Sequence, residues 1–191
     1  MTGATVAPTV LYDANVLYPS TLRDVLIRVG LERLVTPRWT DQILDEVFRN
    51  LRANRPDLDP QRLDRTRALM NRAIPDVLVT GYEHHVDSLD LPDPGDRHVA
   101  AAAIEVRAEV IVTKNLKDFP RTSLEPRGTR PEHPDEFLLG LHADHPAVLA
   151  QIVGDISRTW PDDASVPDVL KSLEVEAPRT ARAITAADPT L

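Results

Sequence analysis
Short apolar runs that read as buried strands alternate with segments of helical hydrophobic period. This order predicts an α/β domain built on a mostly parallel sheet flanked by helices. Two of the runs, 9–12 and 109–113, lead directly into polar residues, Asp13 after the first and Lys114-Asn115 after the second. A third observation is the uninterrupted helical pattern after about residue 130, which predicts a C-terminal helical extension. In an open α/β sheet the ligand crevice lies at the carboxyl ends of strands, so a site is expected at those polar residues.

Along the chain, a loose start precedes Val10-Leu11-Tyr12, which closes the strand at 9–12. Pro19-Ser20-Thr21 offers cap residues for a helix over 21–34, where Leu22, Val25, Leu26, Val29 and Leu34 recur at helical spacing. Residues 35–37 make a short link or strand. A helix over 39–53 sets Ile43, Leu44, Val47, Phe48 and Leu51 on one face. Pro56 and Pro60 interrupt the pattern before a helix at 60–73, which Pro75 closes. Val77-Leu78-Val79 is a further strand candidate. The turn Asp93-Pro94-Gly95-Asp96 leads into a helix over 96–107, whose alanines 100 to 103 permit close packing on a sheet. Pro126-Arg127-Gly128-Thr129-Arg130-Pro131 reads as a linker or loop. It divides an α/β unit at 1–130 from an extension at 131–191, with helices expected at 134–143, 146–158, 165–174 and 178–186.

At 191 residues the chain suits one domain with an appendage. No apolar run approaches the roughly 20 residues of a membrane span, and the N-terminus lacks a basic segment followed by an apolar one. Cysteine is absent, which removes disulfides, thiolate zinc sites and cysteine nucleophiles. The expected location is the cytoplasm, without membrane contact. Net charge is −8, which by itself argues against nucleic acid. Its distribution tempers that: residues 1–130 hold 18 basic and 19 acidic side chains, residues 131–191 hold 4 and 11. Seven arginines between 49 and 72 face three aspartates, a local excess that could meet phosphates.

The acidic residues near these strand ends carry the chemistry. Asp13 ends a buried strand, where a carboxylate is costly unless paired, hydrogen-bonded or metal-bound; Asn15 adds a second polar group beside it. Asp96 opens a helix, where Asp is a preferred cap and the macrodipole favours negative charge, and the same position would keep a ligand ionised. Asp93 shares that turn. On helix 39–53, Asp41, Asp45 and Glu46 all lie off the apolar face, so spacing does not choose among them. Asp118 follows the strand at 109–113 within a turn that also presents Thr113, Lys114 and Asn115. Carboxylates gathered in one crevice repel one another unless a cation sits between them.

In order and context, four segments resemble the PIN-domain nucleases: Leu11-Tyr12-Asp13-Ala14-Asn15-Val16-Leu17, Ile43-Leu44-Asp45-Glu46-Val47, Asp93-Pro94-Gly95-Asp96-Arg97-His98-Val99-Ala100-Ala101-Ala102-Ala103, and Val112-Thr113-Lys114-Asn115-Leu116-Lys117-Asp118-Phe119-Pro120. The group most similar is the VapC-like toxin component of bacterial toxin–antitoxin pairs. The resemblance covers about residues 8–125. It implies a PIN-like, Rossmann-like sheet with Asp13, Glu46, Asp96 and a residue of the fourth segment around Mg²⁺ or Mn²⁺, and it selects Glu46 over Asp45. Many such toxins place the last acid directly after the Thr-x pair, where this chain has Asn115; the acid comes three residues later, at Asp118. Both Asn115 and Asp118 therefore stand as the fourth ligand.

The activity that this resemblance implies is metal-dependent hydrolysis of RNA phosphodiester bonds, with the toxin role in a type II pair. A cognate antitoxin and a homodimer are the partners it implies. Asp13 and Asp96 are expected as principal ligands, Glu46 as ligand or orienter of water, and Thr113, Arg97, Lys114 and Asn15 as substrate-side residues. The alternative within the family is a degenerate PIN fold serving as an RNA- or protein-binding scaffold. An aspartyl phosphatase would want a second Asp where Asn15 stands. A zinc hydrolase finds only the adjacent pair His84-His85, and His142 with His145, each lacking a third ligand in the sequence. The helical extension is expected to complete the domain and to support contact with the antitoxin.

Overall fold
The strand at the centre of the molecule is β1 (Thr9–Tyr12), and it is buried on both faces, as its unbroken apolar run requires. The computed structural model describes residues 7–160 and 164–187; of the loose start expected before β1, residues 1–6 lie outside the described residues. A single turn, α1 (Ala14–Leu17), leads to α2 (Ser20–Leu31), whose buried Leu22, Val25, Leu26 and Val29 keep the expected helical spacing. Gly30 lets α2 approach the next strand, since a Cβ there would lie 2.5 Å from the Pro37 ring. That strand is β2 (Thr36–Arg38), followed by α3 (Asp41–Asn54) and α4 (Pro60–Ala73). Thr40 caps α3 by accepting from the Ile43 N–H at 3.0 Å, and Ile43, Leu44, Val47, Phe48 and Leu51 are buried as expected.

Then come α5 (Glu83–Val86), α6 (Arg97–Glu105), β3 (Val110–Val112), α7 (Arg121–Leu124) and β4 (Arg130–Glu132). All pairings are parallel, in the order β2-β1-β3-β4. The chain thus leaves β1 on one side to form β2 and later returns on the other to form β3. The crevice between the ends of β1 and β3 is the topological switch point of the sheet.

Two expectations are corrected. Residues 126–131, read as linker or loop, contain the end of a 3-10 turn and the start of β4, whose Val110↔Arg130 and Ile111↔Pro131 pairs lie in register with β3. Proline is tolerated there because β4 is an edge strand. The Val77–Val79 strand is reduced to one parallel bridge, Trp39↔Leu78, with Trp39 N–H donating to the Val77 carbonyl at 3.1 Å. The Arg-rich stretch is also less free than its composition suggests. Arg52 pairs with Asp64, Arg55 with Asp57, and Arg67 reaches both Asp41 and Asp45.

The C-terminal helices are α8 (Pro134–Asp144), α9 (Pro146–Thr159), α10 (Val166–Glu174) and α11 (Pro178–Ala187). They join the core of the sheet. Phe137 meets the Tyr12 ring edge-on at 6.4 Å, α9 and α10 pack on α2, and Thr21 shares a 2.7 Å hydrogen bond with Ser172. α8 holds the start of α11 through Asp135. This buried carboxylate accepts from the Arg179 N–H at 3.2 Å, the Thr180 N–H at 2.9 Å and the Thr180 hydroxyl at 2.9 Å.

Removing that carboxylate strands two backbone donors at the helix start, while the Thr180 hydroxyl keeps the backbone carbonyl of position 135 as an acceptor at 3.0 Å. Asp135→Ala is expected to cost roughly 2–3 kcal/mol in urea unfolding. The exposed Asp57→Ala is expected to stay within about 0.5 kcal/mol of wild type. Equal midpoints for both variants would show that the Asp135 junction holds nothing.

Candidate functional site
Asp13 is where β1 hands the chain to the crevice. Its N–H donates to the Val112 carbonyl at 3.1 Å, so β1 stays joined to β3 one residue past the ladder. The side chain, 5% exposed, caps α1 by accepting from the Ala14 N–H at 2.7 Å. Its other oxygen accepts from the Thr113 hydroxyl at 2.7 Å and from Asn15 Nδ2 at 2.6 Å. An ionised carboxylate offers about four lone-pair positions, and these donors use three of them. Burial pushes the Asp13 carboxyl upward in pKa, the Thr113 and Ala14 hydrogen bonds oppose this, and nearby Glu46 adds to the rise.

Thr113 is the hub of the β3 end. While donating to Asp13, its hydroxyl accepts from Asn15 Nδ2 and from the Asn115 N–H, both at 3.0 Å. Asn15 in turn accepts from the Lys114 N–H at 2.9 Å. The strand ends are therefore stitched through side chains separated by about a hundred positions.

Asp96 ends the 3-10 turn Pro94–Asp96 and starts α6, yet its side chain makes no cap hydrogen bond. The ordinary capping role allowed by the sequence is not the one it performs. Its pKa is pushed up to about 6, first by burial and then by the charges of Asp13, Asp93, Asp118 and Glu46. Those carboxylates come from the β1 end, α3, the turn before α6 and the turn after β3. Asp118, in the 3-10 turn Leu116–Asp118, is half-buried and accepts from Asn115 Nδ2 at 2.5 Å. The same amide reaches Asp96 at 3.4 Å and so bridges the two acids.

On α3 the three acids that spacing left equivalent differ in their surroundings. Asp41 and Asp45 are exposed and engaged by Arg67. Glu46 is half-buried and lines an open cleft of about 240 Å³ with Asn15, Tyr18, Asn50, Asn54 and Lys114. The basic residues divide similarly: Lys114 pairs with Glu176 at 2.9 Å, while Lys117 stands 3.9 Å from Asp118 and is exposed. Arg97 is half-buried, and its Nε has no partner among the described residues. Glu176, just beyond α10, was not singled out by sequence; nothing local links it to a lysine 62 positions away.

Chemically the crevice offers oxygen donors alone, the ligand type that Mg²⁺ and Mn²⁺ prefer. The lone pair left on Asp13 and the raised proton affinity of Asp96 both fit a position that favours a cation. Among the described residues, the group of three such side chains that converges closely enough to hold a metal ion lies elsewhere. His84, His85 and Glu105 bring one ligand atom each to within 4.8 Å of one another. The missing third ligand of the histidine pair is thus supplied by α6, twenty residues on, which no local motif announces.

A sequence model described as PIN domain matches residues 9–117. A Mycobacterium tuberculosis protein named "Putative ribonuclease VapC50" is 41% identical over 87 residues, covering 45% of this chain and 52% of that protein. The chain spans about half the length of that relative. No solved structure matches it.

The electrostatics of Asp96 set a pH dependence. Its native pKa, about 6, exceeds the ordinary 3.8, so the folded state binds this proton more tightly than the unfolded chain does. In EDTA, stability is expected to fall as pH rises from about 4 to about 6 and then level off. Asp96→Asn should flatten that fall and gain on the order of 1 kcal/mol at neutral pH, solvent screening having reduced the full shift. An unchanged pH profile of Tm in the variant would refute the coupling.

Proposed function
This chain belongs to the PIN-domain family, and we propose that it is a Mg²⁺- or Mn²⁺-dependent endoribonuclease, the toxin of a type II toxin–antitoxin pair. The observation that carries the reading is the hydrogen-bonded chain at the ends of β1 and β3, in which Thr113 holds Asp13 and Asn115 joins Thr113 to both Asp96 and Asp118. Such a gathering of carboxylates opposes folding and is useful where a cation must be held. The likeness to a named ribonuclease supports the same conclusion.

In this reading Asp13, Asp96 and Glu46 hold the ion, with Asp118 as the outer fourth acid. A bound divalent ion would supply an activated water and charge stabilisation for in-line displacement at phosphorus. The chain's own residues do the positioning. Thr113 and Asn15 fix the Asp13 rotamer, so its remaining lone pair points one way. Asn115 donates to Asp96 and Asp118, which suits a spacer between carboxylates better than a ligand through its oxygen. Glu46, which lines the small cleft with Asn15 and Lys114, is suited to orient a water. Lys117 and Arg97 offer positive charge to the RNA backbone, and Lys114 does so only when released from Glu176. Single-stranded loops are the targets that suit sequence-specific reading.

The antitoxin would use the groove of about 540 Å³ formed by α2, α3, α4 and α10, where Phe48, Leu51, Leu58 and Val175 alternate with Arg23 and Arg62. Val175 is 78% exposed, the most of any large apolar side chain among the described residues. In this way the C-terminal helices serve both core and partner.

Metal activation is worth several kcal/mol, so Asp13→Asn and Asp96→Asn should each lower RNA cleavage in Mn²⁺ buffer by about a hundredfold or more. Asp45→Ala should leave it within about twofold, because that carboxylate serves a surface ion pair. Cleavage retained in the Asp13 and Asp96 variants would reject the nuclease assignment. A folded wild type that neither binds Mn²⁺ nor cuts RNA would favour the scaffold alternative.

A further inference from the structure
We propose that His84, His85 and Glu105 form a second metal site, selective for a borderline divalent ion such as Zn²⁺ and separate from the acidic crevice. His84 Nδ1–H donates to the Gly81 carbonyl at 2.8 Å. A carbonyl can only accept, so the proton sits on Nδ1 and the lone pair of the neutral ring is on Nε2. That is the arrangement in which a metal-binding histidine is held by its outer partner. Gly81 supplies the turn at φ +78°, a conformation that side chains other than glycine adopt rarely.

His84 Nε2 lies 3.7 Å from Glu105 Oε2, and His85 Nε2 lies 3.1 Å from the same oxygen. The imidazole rings are 3.9 Å apart. Two ring nitrogens and a carboxylate oxygen thus face one volume, with all three atoms within 4.8 Å of one another. Zn²⁺ with three protein ligands of this kind retains a position for water. Imidazole suits Zn²⁺, Cu²⁺ and Ni²⁺, whereas Mg²⁺ prefers oxygen throughout, so the donor atoms separate this site from the crevice.

One further feature favours a cation here. Glu105 is the last residue of α6, where the helix dipole disfavours a carboxylate. His85 Nε2–H donates to Glu105 in the free protein; on Zn²⁺ binding that hydrogen would move to Nδ1, which leaves the Nε2 lone pair for the metal. Glu105 lies nine residues after Asp96, roughly 13 Å along α6. Metal held there joins α5 to α6 and leaves the acids at the other helix end untouched. This inference does not depend on the nuclease reading.

The test is calorimetric titration of the full chain with ZnCl₂, together with Tm measured with and without Zn²⁺. Wild type, Asp96→Asn, His85→Ala and Glu105→Gln are compared, with circular dichroism as the fold check. Losing an outer partner of a metal ligand costs about 10–100-fold in affinity, so losing a ligand should cost at least that. Wild type and Asp96→Asn are expected to share one Zn²⁺ site that raises Tm, and His85→Ala and Glu105→Gln to lose it. Excess Mg²⁺ should not compete. Zinc binding that survives in both His85→Ala and Glu105→Gln overturns the proposal, as does binding lost in Asp96→Asn. Absence of any Zn²⁺ binding by the wild type overturns it as well.

Discussion
One buried carboxylate organises this molecule. Asp13 sits where β1 ends against β3, and its oxygens are held by the Ala14 N–H, the Thr113 hydroxyl and the Asn15 amide. Left without donors, such a group would cost several kcal/mol to bury. With them, the position becomes a rigid corner that joins the two central strands through side chains as well as backbone. The other acids of the crevice are arranged around that corner, and so is the path of α1.

The surrounding elements offset what the crevice costs. Asp96 meets the positive end of α6, which favours its charge even though the side chain does not cap the helix. Asn115 donates between Asp96 and Asp118 and keeps their repulsion at a fixed spacing. The larger contribution is remote from the charges. The Tyr12 ring, one residue before Asp13, is buried between Trp39 and Phe137, so the sheet and the C-terminal helices share one apolar core directly behind the site. Burial of this kind stabilises by roughly 25 cal/mol per Å², and it acts without touching the carboxylates. Site and core are thereby separable in energy while adjacent in space.

The legible part of the sequence was its periodicity and its element lengths. β1 and α4 emerged with their boundaries, and the buried face of α3 emerged residue by residue, because apolar spacing is itself the cause of those elements. β4 escaped because Pro131 lies within it and edge strands accept proline, so its composition resembled a loop. The 77–79 segment erred in the opposite direction: its residues suit a strand, but only Leu78 finds a bridge. In the crevice, Asp13, Thr113 and Asn15 were legible because they adjoin strand ends. Glu46 could be separated from Asp45 only by resemblance, since the physical discriminator is Arg67 on another helix. The pairing of Lys114 with Glu176 and the approach of Glu105 to the histidines have the same origin, tertiary proximity between residues that no window of sequence contains.

The two ends of α6 show how one helix can present two opposite electrostatic problems. At its N-terminus the dipole supports negative charge, and the fold adds more of it: Asp93, Asp13, Glu46 and Asp118 all act on Asp96. Burial first and these charges second outweigh the dipole and push the Asp96 carboxyl up to about 6. At its C-terminus the dipole opposes Glu105, and two imidazoles stand against it. Oxygen donors crowd the first end, and nitrogen donors dominate the second. Hard and borderline ions divide along that same line, so the two proposed sites, at opposite ends of one nine-residue helix, would take different cations.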